Sequence, residues 1–150
     1  MYEIIVGRDE EDRRAFGDKG TFLIGKHYVK MGQVTSLSTG IYMDVLRSHV
    51  VSVFGKRGSG KSFSLGAIAE GMMTLRSDLT KNLSIVVFDT MGIFWTMKYE
   101  NKRDEALLKE WNIPFQRFNV RIYAPSGSFS DYKERGIPID LPFSISPSEL

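Results

Sequence analysis

The chain has 150 residues, with 20 Lys+Arg against 18 Asp+Glu, a formal net charge of +2, 42% hydrophobic and 25% charged residues, and no cysteine. These are the proportions of one soluble globular domain, and they exclude disorder, collagen and coiled coil. Without cysteine there is no disulfide framework, no Cys-ligated zinc and no thiol nucleophile, and so small a positive surplus identifies no nucleic-acid partner.

In chain order, the first residues carry Glu3, Asp9, Glu10, Glu11 and Asp12, acids where a secretory or transit leader needs bases, so a cytoplasmic protein is expected. Short β-like runs at Tyr2–Val6, Thr21–Val29 and Ile41–Val45, divided by Gly20, Gly32 and Gly40, predict a small β element over residues 1–47. A helix is expected at Asp9–Phe16 between its first two runs. His49–Phe54 is β-branched and leads straight into glycines, as a strand entering a tight turn does. From Lys61, the residues Leu65, Ile68, Met72, Leu75 and Leu79 recur at three- and four-residue steps, which predicts a helix with one apolar face. Leu83–Phe88 is a continuous apolar run ending at Asp89, the pattern of a strand buried on both faces. Extended to Met97, that run still holds Asp89 and is shorter than a membrane span, so no membrane partner is expected.

Further on, Arg103–Trp111 predicts a short helix, with Glu105 four residues before Lys109 in the favourable order. Asn119–Tyr123 alternates as a third strand, and polar Gly127–Gly136 is expected to be a loop. Ser146-Pro-Ser-Glu149 is a capping box with proline at the first helical position, the signature of a helix start. Strands alternating with helices at these spacings predict an α/β domain with a parallel sheet over residues 48–150. Three strands would leave both sheet edges uncovered, so the chain is expected to be the front part of a longer polypeptide.

The chemistry concentrates in Gly55-Lys-Arg-Gly-Ser-Gly-Lys-Ser62, which matches G-x-x-x-x-G-K-[ST] at a strand-to-helix junction. Gly55, Gly58 and Gly60 let backbone N–H groups point inward, and the following helix adds its positive end, so the loop suits a triphosphate. Lys61 is expected to reach the β- and γ-phosphates and Ser62 to ligate Mg²⁺. Lys56, Arg57, Ser59 and the following Phe63 complete the candidate nucleotide-binding set. Asp89 stands at a predicted strand end, where open parallel sheets bind ligands, and is a second candidate for magnesium or for orienting a water. His27 and His49 have no acidic partners at metal-ligand spacing and read as packing or capping residues. Asp89–Gly92 and Asn101–Asp104 imitate the D-x-x-G and N-K-x-D pair of small GTP-binding proteins. The eight residues between Gly92 and Asn101 cannot supply the intervening helix and strand, so Asn101–Asp104 reads as a polar lead into the next helix.

A wider resemblance covers nearly the whole chain. Thr21–Val29, Met43–Val50, the loop Gly55–Ser62, Phe88-Asp-Thr-Met-Gly92 and Leu141–Leu150 resemble the front part of HerA-type ATPases, relatives of FtsK-like DNA translocases. The resemblance implies a small N-terminal β-barrel, here reduced, before an incomplete RecA-like P-loop ATPase core. It also implies ATP and Mg²⁺ as cofactors, a homohexameric ring, double-stranded DNA as the moved substrate, and a NurA-like nuclease as effector. On matching positions Lys61 and Asp89 are the candidate catalytic residues, with Ser62 and Asp89 at magnesium. Thr90 and Ile93 depart from the D-P-x-G-E pattern that Asp89 otherwise fits, and no arginine has the context of an arginine finger. A GTP-dependent switch and a non-catalytic, nucleotide-dependent assembly module are the alternatives.

Overall fold

The computed structural model describes residues 3–144; the capping box at Ser146–Glu149 lies outside them. The chain forms two compact units, one ending at Val87 and one beginning at Phe88, and both combine helices with strands.

In the first unit, strands β1 (Ile4–Val6), β2 (Thr21–Met31) and β3 (Val34–Asp44) form a sheet in the order β1-β3-β2. β1 runs parallel to β3, and β2 pairs with β3 antiparallel in a hairpin closed at Gly32-Gln33. The expected small β element is thus a three-stranded mixed sheet with no β1–β2 pairing among the described residues. Between its first two strands lies helix α1 (Glu10–Phe16), and its ends follow from local chemistry. Asp9 accepts the Asp12 N–H at 2.8 Å, acids fill the first turn, and Arg13 and Arg14 sit in the last, each complementing the helix dipole.

Helix α2 (Lys61–Met73) starts at the predicted residue and stops early. The single helix expected through Leu79 breaks at Thr74, whose N–H and Oγ1 both bond the Gly71 carbonyl, and a short helix α3 (Ser77–Thr80) follows. Of the predicted apolar face, Ile68 and Met72 are half-buried on α2, as are Leu75 and Leu79 beyond it. Leu65 is exposed, whereas Ala69 is buried and Gly71 lies against the buried Phe22 of β2. A Cβ at Gly71 would stand 2.2 Å from the Phe22 ring, so the missing side chain sets how closely helix and sheet approach.

The strands expected at His49–Phe54 and Leu83–Phe88 are not in a ladder. Neither segment takes up regular secondary structure, and Val50 is 97%, Phe54 90% and Phe88 90% exposed. Strand propensity alone does not make a strand, because a ladder needs a partner backbone at about 4.8 Å, and none is supplied among residues 3–144.

The second unit holds a 3₁₀ turn at Phe94–Lys98, helix α4 (Glu105–Glu110), strand β4 (Tyr123–Pro125), helix α5 (Phe129–Glu134) and strand β5 (Leu141–Phe143). β4 and β5 pair in parallel, so the stretch expected to be a loop at Gly127–Gly136 is instead the helical crossover that such a pair requires. The third strand begins at Tyr123 rather than Asn119. Asp140 fastens the start of β5: its N–H donates to the Ile122 carbonyl and its carboxylate accepts from Ile122 N–H and from Lys98. The Lys98 bond, then the backbone N–H, holds that carboxyl below the usual carboxylate range. No helix among the described residues is long and apolar enough to cross a membrane.

Candidate functional site

The loop between Phe54 and α2 is shaped by its own residues. Gly58 and Gly60 have φ of +78° and +89°, the left-handed region that side chains disfavour. At Gly55 the constraint is space, since a Cβ there would lie 2.2 Å from Ser59 Oγ. Ser59 N–H donates to the Lys56 carbonyl at 3.2 Å, closing the turn. Lys61 folds back over the loop and donates from Nζ to the carbonyls of Gly55 and Lys56, both at 2.8 Å. An ammonium has three donors, so one remains for a ligand.

Helix α2 leaves its N-terminus open. Gly60 offers no side-chain cap and the first turn holds no acid, while the first intrahelical bond runs from Ser64 N–H to the Gly60 carbonyl. The N–H groups of Lys61, Ser62 and Phe63 precede that bond and carry the positive end of the helix dipole. An open recess of about 310 Å³ lies at this end, lined by Gly58, Gly60, Lys61, Ser62 and Phe63. Lys56, Arg57, Ser59 and Ser62 are all exposed around it. The structure therefore brings the predicted loop residues together, with donors and positive charge in one place. A triphosphate fits this donor set.

Asp89 belongs to the second unit and is already engaged. Its carboxylate accepts from Met91 N–H at 3.2 Å, Ile93 N–H at 2.6 Å and Phe94 N–H at 2.8 Å, capping the turn that starts the 3₁₀ segment. Three of about four acceptor positions are spent. Asn101 and Asp104 bond each other, Asn101 Nδ2 to Asp104 Oδ2 at 3.0 Å and Asp104 N–H to Asn101 Oδ1 at 3.2 Å, directly before α4. Both are used as a helix lead-in. Among the described residues no three His, Asp or Glu side chains group as a metal cage, so Mg²⁺ here would depend on the Ser62 hydroxyl, phosphate oxygens and waters.

Sequence reasoning missed a charge network in the first unit. Arg8 and Asp44 form a buried ion pair, and Arg8 also donates to the carbonyls of Gly17 at 2.6 Å and Lys19 at 2.7 Å. His49 Nε2 meets Asp44 Oδ2 at 2.9 Å, and Arg47 grips Asp12 with two bonds of 2.6 and 2.8 Å. Burial alone would raise the Asp44 carboxyl; the bonds from His49, Arg8 and the Leu46 and Arg47 N–H groups outweigh it and leave the pKa lowered. His49, expected to be a packing or capping residue, is tied through Asp44 to the sheet just before the segment that leads to the loop. The signal was a turn-forming Asp44 five residues from His49. A second cavity of about 500 Å³, in the other unit, is lined by Lys98, Arg117, Asn119, Arg121 and Asp140 among others, with Lys98 neutralised by Asp140.

No curated protein and no solved structure matches the chain. A family model does: that of "Helicase HerA, central domain" matches residues 24–150.

Proposed function

The chain belongs to the HerA helicase central-domain family, and from that premise we propose that it is the nucleotide-binding front of a RecA-like P-loop ATPase core. In this reading the core works as a homohexamer that moves double-stranded DNA by ATP hydrolysis, with a NurA-like nuclease as effector. The observation that carries the nucleotide site is the clamp of Lys61 on the Gly55 and Lys56 carbonyls beside the uncapped end of α2.

The residues divide the work by donor type. Backbone N–H groups of the loop and of Lys61, Ser62 and Phe63 take phosphate oxygens, and the remaining Lys61 donor takes the outer phosphates. Ser62 Oγ is a hard oxygen suited to Mg²⁺, which, when bound, neutralises phosphate charge during transfer. For Asp89 the proposal is narrower, because its one unspent acceptor position suits a hydrogen bond to a magnesium-bound water better than direct ligation. His49–Phe54 and Leu83–Phe88 are core strands in this reading. Their support is the exposure of Val50, Phe54 and Phe88 on segments that no ladder pairs, a state that an apolar strand leaves once sheet partners cover it.

The test is titration with ATP and GTP, with and without Mg²⁺, on wild type and Lys61→Ala, with oligomeric mass followed in the same samples. Loss of charge-assisted bonds is expected to weaken ATP binding about 10- to 100-fold. Unchanged affinity in a folded Lys61→Ala chain overturns the site. Selectivity for GTP would favour the switch alternative, against which stands the mutual bonding of Asn101 and Asp104.

A further inference from the structure

We propose that the ring of Phe63 is the platform on which the base of the bound nucleotide stacks. The inference rests on the phosphate-loop reading and supplies the part of the ligand that the loop itself cannot hold.

Phe63 is 74% exposed although it stands in the first turn of α2, a helix that elsewhere approaches the sheet closely enough to need glycine at position 71. It lines the same recess as Gly58, Gly60, Lys61 and Ser62. Those four offer N–H groups, an ammonium and a hydroxyl, all of them chemistry for oxygen anions. Among these lining residues only Phe63 presents a flat apolar surface. A lining that combines polyanion donors with one aromatic side chain matches a nucleoside triphosphate better than inorganic phosphate, since such a ligand has one end of each kind.

The same chemistry defines the specificity. A phenyl ring has no N–H or O–H with which to read the edge of a base, whereas every base has a π-face, so stacking is tolerant of base identity. Phe63 therefore holds adenine and guanine alike, and discrimination between ATP and GTP has to come from other residues. Purines, with the larger face, are favoured over pyrimidines at this wall.

The experiment measures binding of tripolyphosphate, ATP, GTP and UTP to the wild-type chain and to Phe63→Ala, Phe63→Tyr and Lys61→Ala. Phe63→Ala is expected to weaken ATP and GTP by a similar factor, about 5- to 100-fold, to leave tripolyphosphate unchanged, and to be rescued by Phe63→Tyr. A Phe63→Trp chain adds a direct readout, with its extra fluorescence quenched by ATP and unaffected by tripolyphosphate. Full ATP affinity in Phe63→Ala, or an equal loss for ATP and tripolyphosphate, overturns the platform and leaves the phosphate loop standing. Tripolyphosphate binding that is absent, or that ignores Lys61→Ala, overturns the phosphate-loop reading and the platform with it.

Discussion

Asp44→Asn is the sharpest perturbation of the first unit. Asp44 is 1% exposed, and its carboxylate receives Arg8, His49 and the N–H groups of Leu46 and Arg47. Asparagine keeps the shape, loses the charge and turns an amide N–H₂ toward donors. Arg8, with its side chain 1% exposed, is then a buried cation without its counter-charge, and breaking such a pair from one side costs about 3–5 kcal/mol. At roughly 2–4 °C per kcal/mol for a chain of this size, the melting temperature should fall by roughly 6–20 °C. The assay is thermal unfolding by circular dichroism at neutral pH, with Arg8→Met alone and combined with Asp44→Asn completing a double-mutant cycle. Contacting charges should couple by about 0.5–3 kcal/mol. The sign with pH is also fixed. A carboxyl held below its ordinary value of 3.8 adds stability above that value and loses it as pH falls through the folded value. Wild type and Asp44→Asn should therefore differ fully at neutral pH and converge in acid. A melting temperature within about 2 °C of wild type, or a strictly additive cycle, would refute the reasoning.

Two further outcomes test packing and capping. Gly71→Ala places a methyl group 2.2 Å from the buried Phe22 ring; overpacking of about 1–3 kcal/mol should exceed the helix-propensity gain of up to about 1 kcal/mol, so the chain should melt lower, and a more stable variant would contradict the close helix–sheet contact. Asp89→Ala should cost about 0.5–2 kcal/mol through lost capping, while Asp89→Asn, which keeps one oxygen, should mainly reduce any Mg²⁺ dependence of nucleotide binding. If Asp89→Asn leaves that dependence unchanged, Asp89 acts as a turn cap alone.

What could be read from the sequence was local. Asp9 announced α1, and the glycine–lysine–serine run announced both the loop and the first residue of α2, because caps and phosphate loops are set by neighbours within a few residues. Partners distant in sequence were not readable. Leu83–Phe88 has every mark of a buried strand, yet pairing depends on a backbone from elsewhere. Arg8 meets Asp44 across 36 residues, a distance at which no motif operates. α5 was legible and overlooked: Phe129 and Tyr132 are spaced three apart, Asp131 and Lys133 sit at the dipole-favoured ends, and Gly136 follows at φ +75°. The polar composition of that stretch hid it.

The clamp that holds Lys61 on its own loop also has a kinetic side. Because carbonyls rather than carboxylates anchor it, its charge is not cancelled, and Lys56 and Arg57 form no ion pair among the described residues. Three cations within six residues then project a field into solvent that draws in a polyanion before any contact is made. That attraction reaches about 8 Å at physiological ionic strength, so added salt should slow arrival at the loop far more than it hastens departure.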